Sequence, residues 1–136
     1  MNKNDVIVRT VLEHYAAAQA IYLFGTYGTP DERPDSDVDI AVLLPPEQAR
    51  KEKNLILSQC RLDLEDALSK TVDLLNIRYV STVLQKEIIS GVRIYCSDSY
   101  AADEFEMLVI SYYQKLNEER QDILAAFFRT GRAYAV

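Results

Sequence analysis

Three aspartates are the residues of this chain whose types and spacing could do chemistry. Asp37 and Asp39 stand two positions apart in an otherwise apolar run, Asp37-Val38-Asp39-Ile40-Ala41-Val42. Alternate residues of a β-strand share a face and lie about 6.5–7 Å apart along the chain, so both carboxylates would point the same way. Like charges repel, and burying an unpaired one costs several kcal/mol. The pair therefore predicts either a bound cation or acids that stay solvated at a strand end.

The third carboxylate is Asp73, which stands in a second apolar segment, Thr71-Val72-Asp73-Leu74-Leu75. Carboxylates that converge from two strands suit hard, oxygen-seeking cations such as Mg²⁺. Two such ions about 3.5–4 Å apart can hold the attacking and leaving oxygens of an in-line phosphoryl displacement. We therefore predict a site of Asp37, Asp39 and Asp73 that takes Mg²⁺, with two ions, and a phosphate substrate.

A glycine–threonine pair, Gly25-Thr26, completes the constellation. It follows an apolar run and precedes Asp37 by a ten-residue loop. Glycine lets the backbone approach a ligand closely, and the threonine hydroxyl with neighbouring N–H groups can hold phosphate oxygens. Arg33 in the loop and Arg78 beyond the third strand are weaker phosphate candidates, and each is also consistent with a solvated charge. Each motif alone is unspecific, but their order favours a metal–nucleotide site.

The elements that would position these residues alternate between helices and short apolar segments. Apolar runs bounded by Gly and Pro predict strands at Ala20–Phe24, Val38–Leu44, Thr71–Ile77 and Val92–Cys96. Helical spacing and capping residues predict helices after Asn4, from Glu47 to Ser69, from Ser81 to Gly91, and from Asp98 or Ser99 to about Arg129. The expected fold class is α/β (α+β), a small mixed sheet of about four strands flanked by helices, with a long C-terminal helix.

The buried faces of the helices follow from the same spacing. In the second helix the predicted buried stripe is Leu57, Cys60, Leu64 and Leu68. In the last helix it is Phe105, Leu108, Val109, Tyr112 and Leu116. Free cysteines are mostly buried, so we expect Cys60 and Cys96 to be small core residues.

Length and charge limit the possible functions. The 136 residues match one domain, 1–136. The 15 Lys+Arg against 21 Asp+Glu give a net charge of −6, which disfavours broad nucleic-acid binding. His14 is the single histidine, so a tetrahedral zinc site would need carboxylates for most of its ligands. Without a signal-like apolar leader or a run of about 18 apolar residues, we expect a cytoplasmic protein with no membrane association.

The motif Gly25-Thr26-x10-Asp37-Val38-Asp39 resembles the signature of the DNA-polymerase-beta-like nucleotidyltransferase superfamily. It is most similar to the minimal MNT nucleotidyltransferases of prokaryotic HEPN/MNT toxin–antitoxin pairs, and the resemblance covers most of the chain. Threonine stands at Thr26 where the family more often has serine, and it keeps the hydroxyl. The resemblance implies transfer of AMP from ATP, with pyrophosphate leaving. It also implies that Asp37 and Asp39 bind both metals, while Asp73 binds one and helps activate the acceptor hydroxyl.

The acceptor implied by this resemblance is a cognate HEPN ribonuclease toxin, bound in a hetero-oligomer and neutralised by AMP added to a tyrosine hydroxyl. Aromatic residues of the last helix supply either interface area or core, namely Tyr112, Tyr113, Phe127 and Phe128. The terminal segment 130–136 either docks on a partner or frays. Two alternatives stay open, a small-molecule adenylyltransferase of the aminoglycoside type and a non-catalytic antitoxin that acts by binding alone.

Overall fold

The computed structural model describes residues 2–130, so the predicted behaviour of the terminal segment lies outside the described residues. The helices are α1 (Lys3–His14), α2 (Pro46–Lys51), α3 (Gln59–Leu68), α4 (Thr82–Ile89) and α5 (Ser99–Thr130). The strands are β1 (Ala20–Phe24), β2 (Val38–Leu43), β3 (Val72–Asn76) and β4 (Val92–Cys96), and a 3₁₀ turn at Ile77–Tyr79 follows β3. The predicted mixed α/β fold with a long C-terminal helix is confirmed.

The four strands form one mixed sheet in the order β3-β2-β1-β4. β1 is antiparallel to both of its neighbours, whereas β2 and β3 run parallel. All five residues of β1 are buried, because this strand lies inside the sheet and is covered on both faces. In the register, Asp39 of β2 faces Phe24 at the end of β1 and Asp73 of β3.

Helices cover the sheet on both faces. On one face, α1 and α3 pack through Ile7, Val11 and Leu64 against strand residues that include Ile40 and Leu74. On the other face, α4 and α5 pack on a second cluster of buried residues, namely Tyr22, Phe24, Ala41, Leu43, Ile88, Ala102, Phe105 and Val109. Since strand side chains alternate between faces, Asp39 and Asp73 lie on the face that α4 and α5 cover.

The predicted continuous helix from Glu47 to Ser69 is wrong. α2 ends at Lys51 and α3 begins only at Gln59. Between them, the Asn54 side chain accepts the N–H of Ile56, and Ser58 caps α3 by accepting the N–H of Arg61. Such local side-chain bonds compete with the helical backbone. Leu57, predicted to be buried, is therefore 81 % exposed in the connection.

The termini of the other helices agree with prediction more closely. Ser81 caps α4 as predicted, but the N-cap of α1 is Asn2, whose side chain accepts the N–H of Asp5, and not Asn4. Cys60 is buried as expected, whereas Cys96 at the end of β4 is exposed. The prediction for Cys96 fails because the edge strand β4 is buried less completely than β1.

The long helix α5 packs on the sheet only near its N-terminal end. Phe105 and Val109 of the predicted stripe are buried. Leu108 and Tyr112 are exposed, contrary to prediction, because Leu108 lies on the flank of the helix in a groove with Met107, and Tyr112 lies beyond the last buried turn. None of the helices in residues 2–130 is long and apolar enough to cross a membrane.

Candidate active site

The three predicted aspartates come together at one edge of the sheet. Asp39 and Asp73 are direct partners in the parallel register of β2 and β3, and both are half-buried. Asp37 is exposed and stands one residue before β2. Burial raises the pKa of Asp39 to about 6, and the negative charges of Asp73 and Asp37 add to this rise. The carboxylates therefore form one electrostatic unit that favours a cation.

Gly25 forms the wall of this site beside Asp39. It follows Phe24, the register partner of Asp39, and its φ of +75° lies in the left-handed region. A Cβ at this position would lie 3.2 Å from Cγ of Asp39 and would overlap its Oδ2. Glycine is thus required here both for the backbone conformation and for the space that the Asp39 carboxylate occupies.

Thr26 and Arg33 border a shared polar cavity in the loop between Gly25 and Asp37. The cavity has a volume of about 720 Å³ and is lined by Thr26, Pro30, Asp31, Glu32, Arg33 and Ser36. The Thr26 carbonyl accepts the N–H of Thr29 at 3.0 Å, which closes a tight turn. A hydroxyl and a guanidinium beside such a turn can hold phosphate oxygens.

Glu87 is a residue of this region that sequence reasoning missed. It lies on α4, and its charge contributes to the raised pKa of Asp39. It also lines a second cavity of about 530 Å³ with Gly25 and Gly91. No local motif marks Glu87, because its proximity depends on how α4 packs over β1. The turn that follows α4 also approaches β1 closely, since a Cβ at Gly91 would lie 2.5 Å from the carbonyl oxygen of Leu23.

Arg78 and His14 lie in structural contacts elsewhere. The Arg78 Nε donates to the carbonyl of Leu44 at 2.6 Å and its Nη2 to Gln19 Oε1 at 2.9 Å. These bonds place Arg78 past the opposite ends of β2 and β3, so it is not part of the site. The His14 Nε2 contacts Asp63 Oδ2 at 2.6 Å and joins α1 to α3.

The carboxylates fit Mg²⁺ by the chemistry of their donors. They offer only oxygen ligands, which Mg²⁺ prefers, and the missing side chain at Gly25 leaves the space that the Asp39 Oδ2 occupies. Within residues 2–130, no three His, Cys, Asp or Glu side chains form a preformed metal cluster.

Comparison with known proteins identifies relatives of this chain. The family model for polymerase beta nucleotidyltransferases matches residues 7–100, which include all the predicted site residues. Protein adenylyltransferase MntA of Shewanella oneidensis is 32 % identical over 124 residues, which are 91 % of this chain and 86 % of MntA.

Two solved structures have the same fold over nearly the whole chain. A crystal structure of a toxin–antitoxin with AMP-PNP superposes with a TM-score of 0.71 at 30 % identity and covers 94 % of this chain and 99 % of its own. An MNT antitoxin in complex with the tri-AMPylated HEPN toxin of Shewanella oneidensis has a TM-score of 0.66 at 30 % identity, with coverage of 93 % and 96 %.

Proposed function

The chain belongs to the polymerase beta nucleotidyltransferase family, and from that premise we propose that it is a protein adenylyltransferase antitoxin. It transfers AMP from ATP to a hydroxyl of a cognate HEPN toxin and so neutralises the toxin. One observation supports this chemistry most strongly. Asp39 and Asp73 are paired in the register of β2 and β3, and Gly25 beside them has no side chain to displace the Asp39 carboxylate. The kinship with MntA and with the AMPylated toxin complex supports the acceptor.

The reaction is a displacement at the α-phosphorus of ATP. The acceptor oxygen forms a bond to phosphorus, the bond from phosphorus to the bridging oxygen breaks, and pyrophosphate leaves. The hydroxyl proton passes to Asp73, which lies half-buried opposite Asp39 and is a carboxylate able to accept it. Such transfers ask the protein mainly for positioning and charge neutralisation, so no protein nucleophile is needed.

Asp37 and Asp39 would hold two Mg²⁺ ions, and Asp73 would bind one of them. When bound, Mg²⁺ neutralises charge on the phosphates and on the developing oxyanion. The chain's own contribution is the wall at Gly25, which leaves room for the Asp39 carboxylate, and the turn at Thr26, which presents a hydroxyl to the phosphates. Arg33 lines the same cavity as Thr26 and would pair with a phosphate oxygen.

The acceptor protein would dock on the exposed apolar residues of α5. Tyr100 is 77 % exposed and Met107 70 % exposed, and both line a groove of about 590 Å³ with Leu108. Tyr112 and Phe128 are further exposed aromatic residues of the same helix. Exposed apolar side chains grouped in a groove mark interaction surfaces. A protein acceptor is favoured over an aminoglycoside-type substrate because MntA, which is 32 % identical to this chain, is a protein adenylyltransferase.

The test is intact-mass analysis of the cognate toxin after incubation with this protein, ATP and Mg²⁺. We expect the toxin mass to rise by one or more AMP groups and its ribonuclease activity to fall. The double variant Asp37→Asn/Asp39→Asn is expected to lose both effects. Asp35→Asn, which removes an exposed loop acid outside the site, is the matched control and is expected to retain them.

Each other outcome decides between the alternatives. Neutralisation without added mass in Asp37→Asn/Asp39→Asn would favour a non-catalytic antitoxin that acts by binding. Persistence of both effects would refute the metal site. Transfer of AMP to an aminoglycoside but not to the toxin would favour the small-molecule enzyme. The cytoplasmic location and the single domain over 1–136 stay predictions, which cell fractionation and limited proteolysis would check.

A further inference from the structure

One lysine side chain holds the loop that joins the phosphate-binding turn to Asp37. The Lys70 ammonium donates to the carbonyl oxygens of Arg33 at 3.4 Å and Pro34 at 3.3 Å. It also forms an ion pair with Glu32 Oε2 at 3.5 Å, and the Lys70 side chain is only 18 % exposed. An ammonium has three N–H donors, so its full donor capacity is directed at this loop.

Glu32 extends the link from Lys70 to the turn itself. Its second oxygen, Oε1, accepts the backbone N–H of Gly28 at 2.7 Å. Gly28 stands two residues after Thr26, which lines the polar cavity. The Glu32 carboxylate therefore bridges the ammonium of Lys70 to the turn, and it fixes the two ends of the loop relative to each other.

The root of the loop is fixed by Tyr27, which is only 4 % exposed. Its ring lies under two ammonium groups, with the Nζ of Lys3 at 5.1 Å and the Nζ of Lys70 at 5.9 Å from the ring centroid. The negative face of the ring attracts ammonium groups placed in this way. The Lys70 ammonium thus contacts a side chain, two backbone carbonyls and an aromatic ring of the loop.

The backbone of Lys70 leads directly into the strand that carries Asp73. The next residue, Thr71, accepts the N–H of Val38 at 2.9 Å, and this bond ties the start of β3 to the start of β2 between Asp37 and Asp39. Lys70 therefore contacts the loop through its side chain and stands two residues before β3, next to the residue that bonds to Val38. It connects both halves of the motif with the third aspartate.

We propose that Lys70 is a positioning residue for nucleotidyl transfer, which holds loop 27–36 so that Thr26 and Asp37 keep their places relative to Asp73. This inference rests on the proposed function. Misplacing reacting groups by about 1 Å can cost about 100-fold in rate, so loss of the ammonium is expected to lower activity without unfolding the protein.

The test compares Lys70→Met with Lys70→Arg and with a matched control, Lys53→Met. Lys53 also places its ammonium over a ring, that of Tyr79 at 5.6 Å. It follows Glu52, which contacts the far end of β3 through Asn76. We expect Lys70→Met to lower kcat about 10- to 100-fold and to raise KM for ATP, with KM for the toxin unchanged. Lys70→Arg restores most of the rate, and Lys53→Met matches the wild type.

A second readout without nucleotide separates this inference from the proposed function. Hydrogen exchange of the bonded loop amides at Gly28, Glu32, Arg33 and Ser36 is expected to quicken about tenfold in Lys70→Met, with exchange in β1 unchanged. Unchanged loop exchange in Lys70→Met, or a kcat that stays at the level of Lys53→Met and the wild type, would overturn the positioning role. If the wild type transfers no AMP, the proposed function is wrong, and loop exchange alone then shows whether Lys70 holds the loop.

Discussion

The substitution Gly25→Ala isolates the contribution of the Asp39 carboxylate, because the chain contains a matched control. Gly25 and Gly28 have nearly the same backbone conformation, with φ of +75° and +77°. A Cβ at Gly25 would overlap Oδ2 of Asp39, whereas a Cβ at Gly28 would meet nothing within 4 Å. The two variants therefore share the cost of the left-handed backbone and differ in whether Asp39 must move.

The magnitudes follow from these two contributions. An L-residue in the left-handed region costs about 1–2 kcal/mol, so both variants are expected to lose about that much stability. For a domain of this size each kcal/mol corresponds to about 3–5 °C in Tm. In Gly25→Ala the Asp39 side chain must also rotate or shift, and a displacement of about 1 Å in a reacting group costs about 100-fold in rate.

The assay pairs thermal unfolding with the initial rate of AMP transfer to the toxin at saturating ATP and Mg²⁺. We expect similar losses in Tm for the two variants, but a rate about 100-fold lower for Gly25→Ala than for Gly28→Ala. Rates within threefold of each other would refute the reasoning, because the overlap with Asp39 would then have no chemical consequence. A much larger Tm loss for Gly25→Ala alone would show that the overlap is relieved by local unfolding.

Three further predictions concern charge, thiols and packing. In EDTA the free energy of unfolding is expected to fall as pH rises from about 4 to 6, because the folded pKa of Asp39, about 6, lies above its unfolded value. After discounting for solvent screening, the fall is about 1 kcal/mol, and urea unfolding of Asp39→Asn should not show this dependence on pH. A thiol reagent at pH 8 is expected to modify exposed Cys96 in the native protein but Cys60 only after unfolding, since Cys60 is buried and its pKa is raised to about 12; mass spectrometry that finds rapid native labelling of Cys60 would contradict this. Tyr22→Phe removes a hydroxyl that donates to Glu106 at 2.6 Å, and it is expected to lower the free energy of chemical unfolding by about 1 kcal/mol with the rate of AMP transfer unchanged. A large loss of rate would instead show that this hydroxyl takes part in the reaction.

Local patterns predicted much of this fold correctly. The apolar runs of β1 and β4 coincide with the observed strands, and Ser81 caps α4 as its side chain predicts. These features depend on neighbours a few residues apart, so a single sequence contains the information. The continuous helix across 47–69 failed for a related reason, since the side chains of Asn54 and Ser58 bond locally and end a pattern that apolar spacing alone would extend.

By itself, the sequence determined the composition of the site, that is, a glycine, a hydroxyl and three carboxylates at fixed spacings. Only the tertiary structure decided which of these meet. The pairing of Asp39 with Asp73 requires the parallel register of two strands that are distant in sequence, and the approach of Glu87 requires α4 to pack over β1. The contacts of Lys70 with the loop span more than thirty residues. The physical reason is that local propensity sets the period and ends of each element, whereas register and approach are set by burial of several elements together.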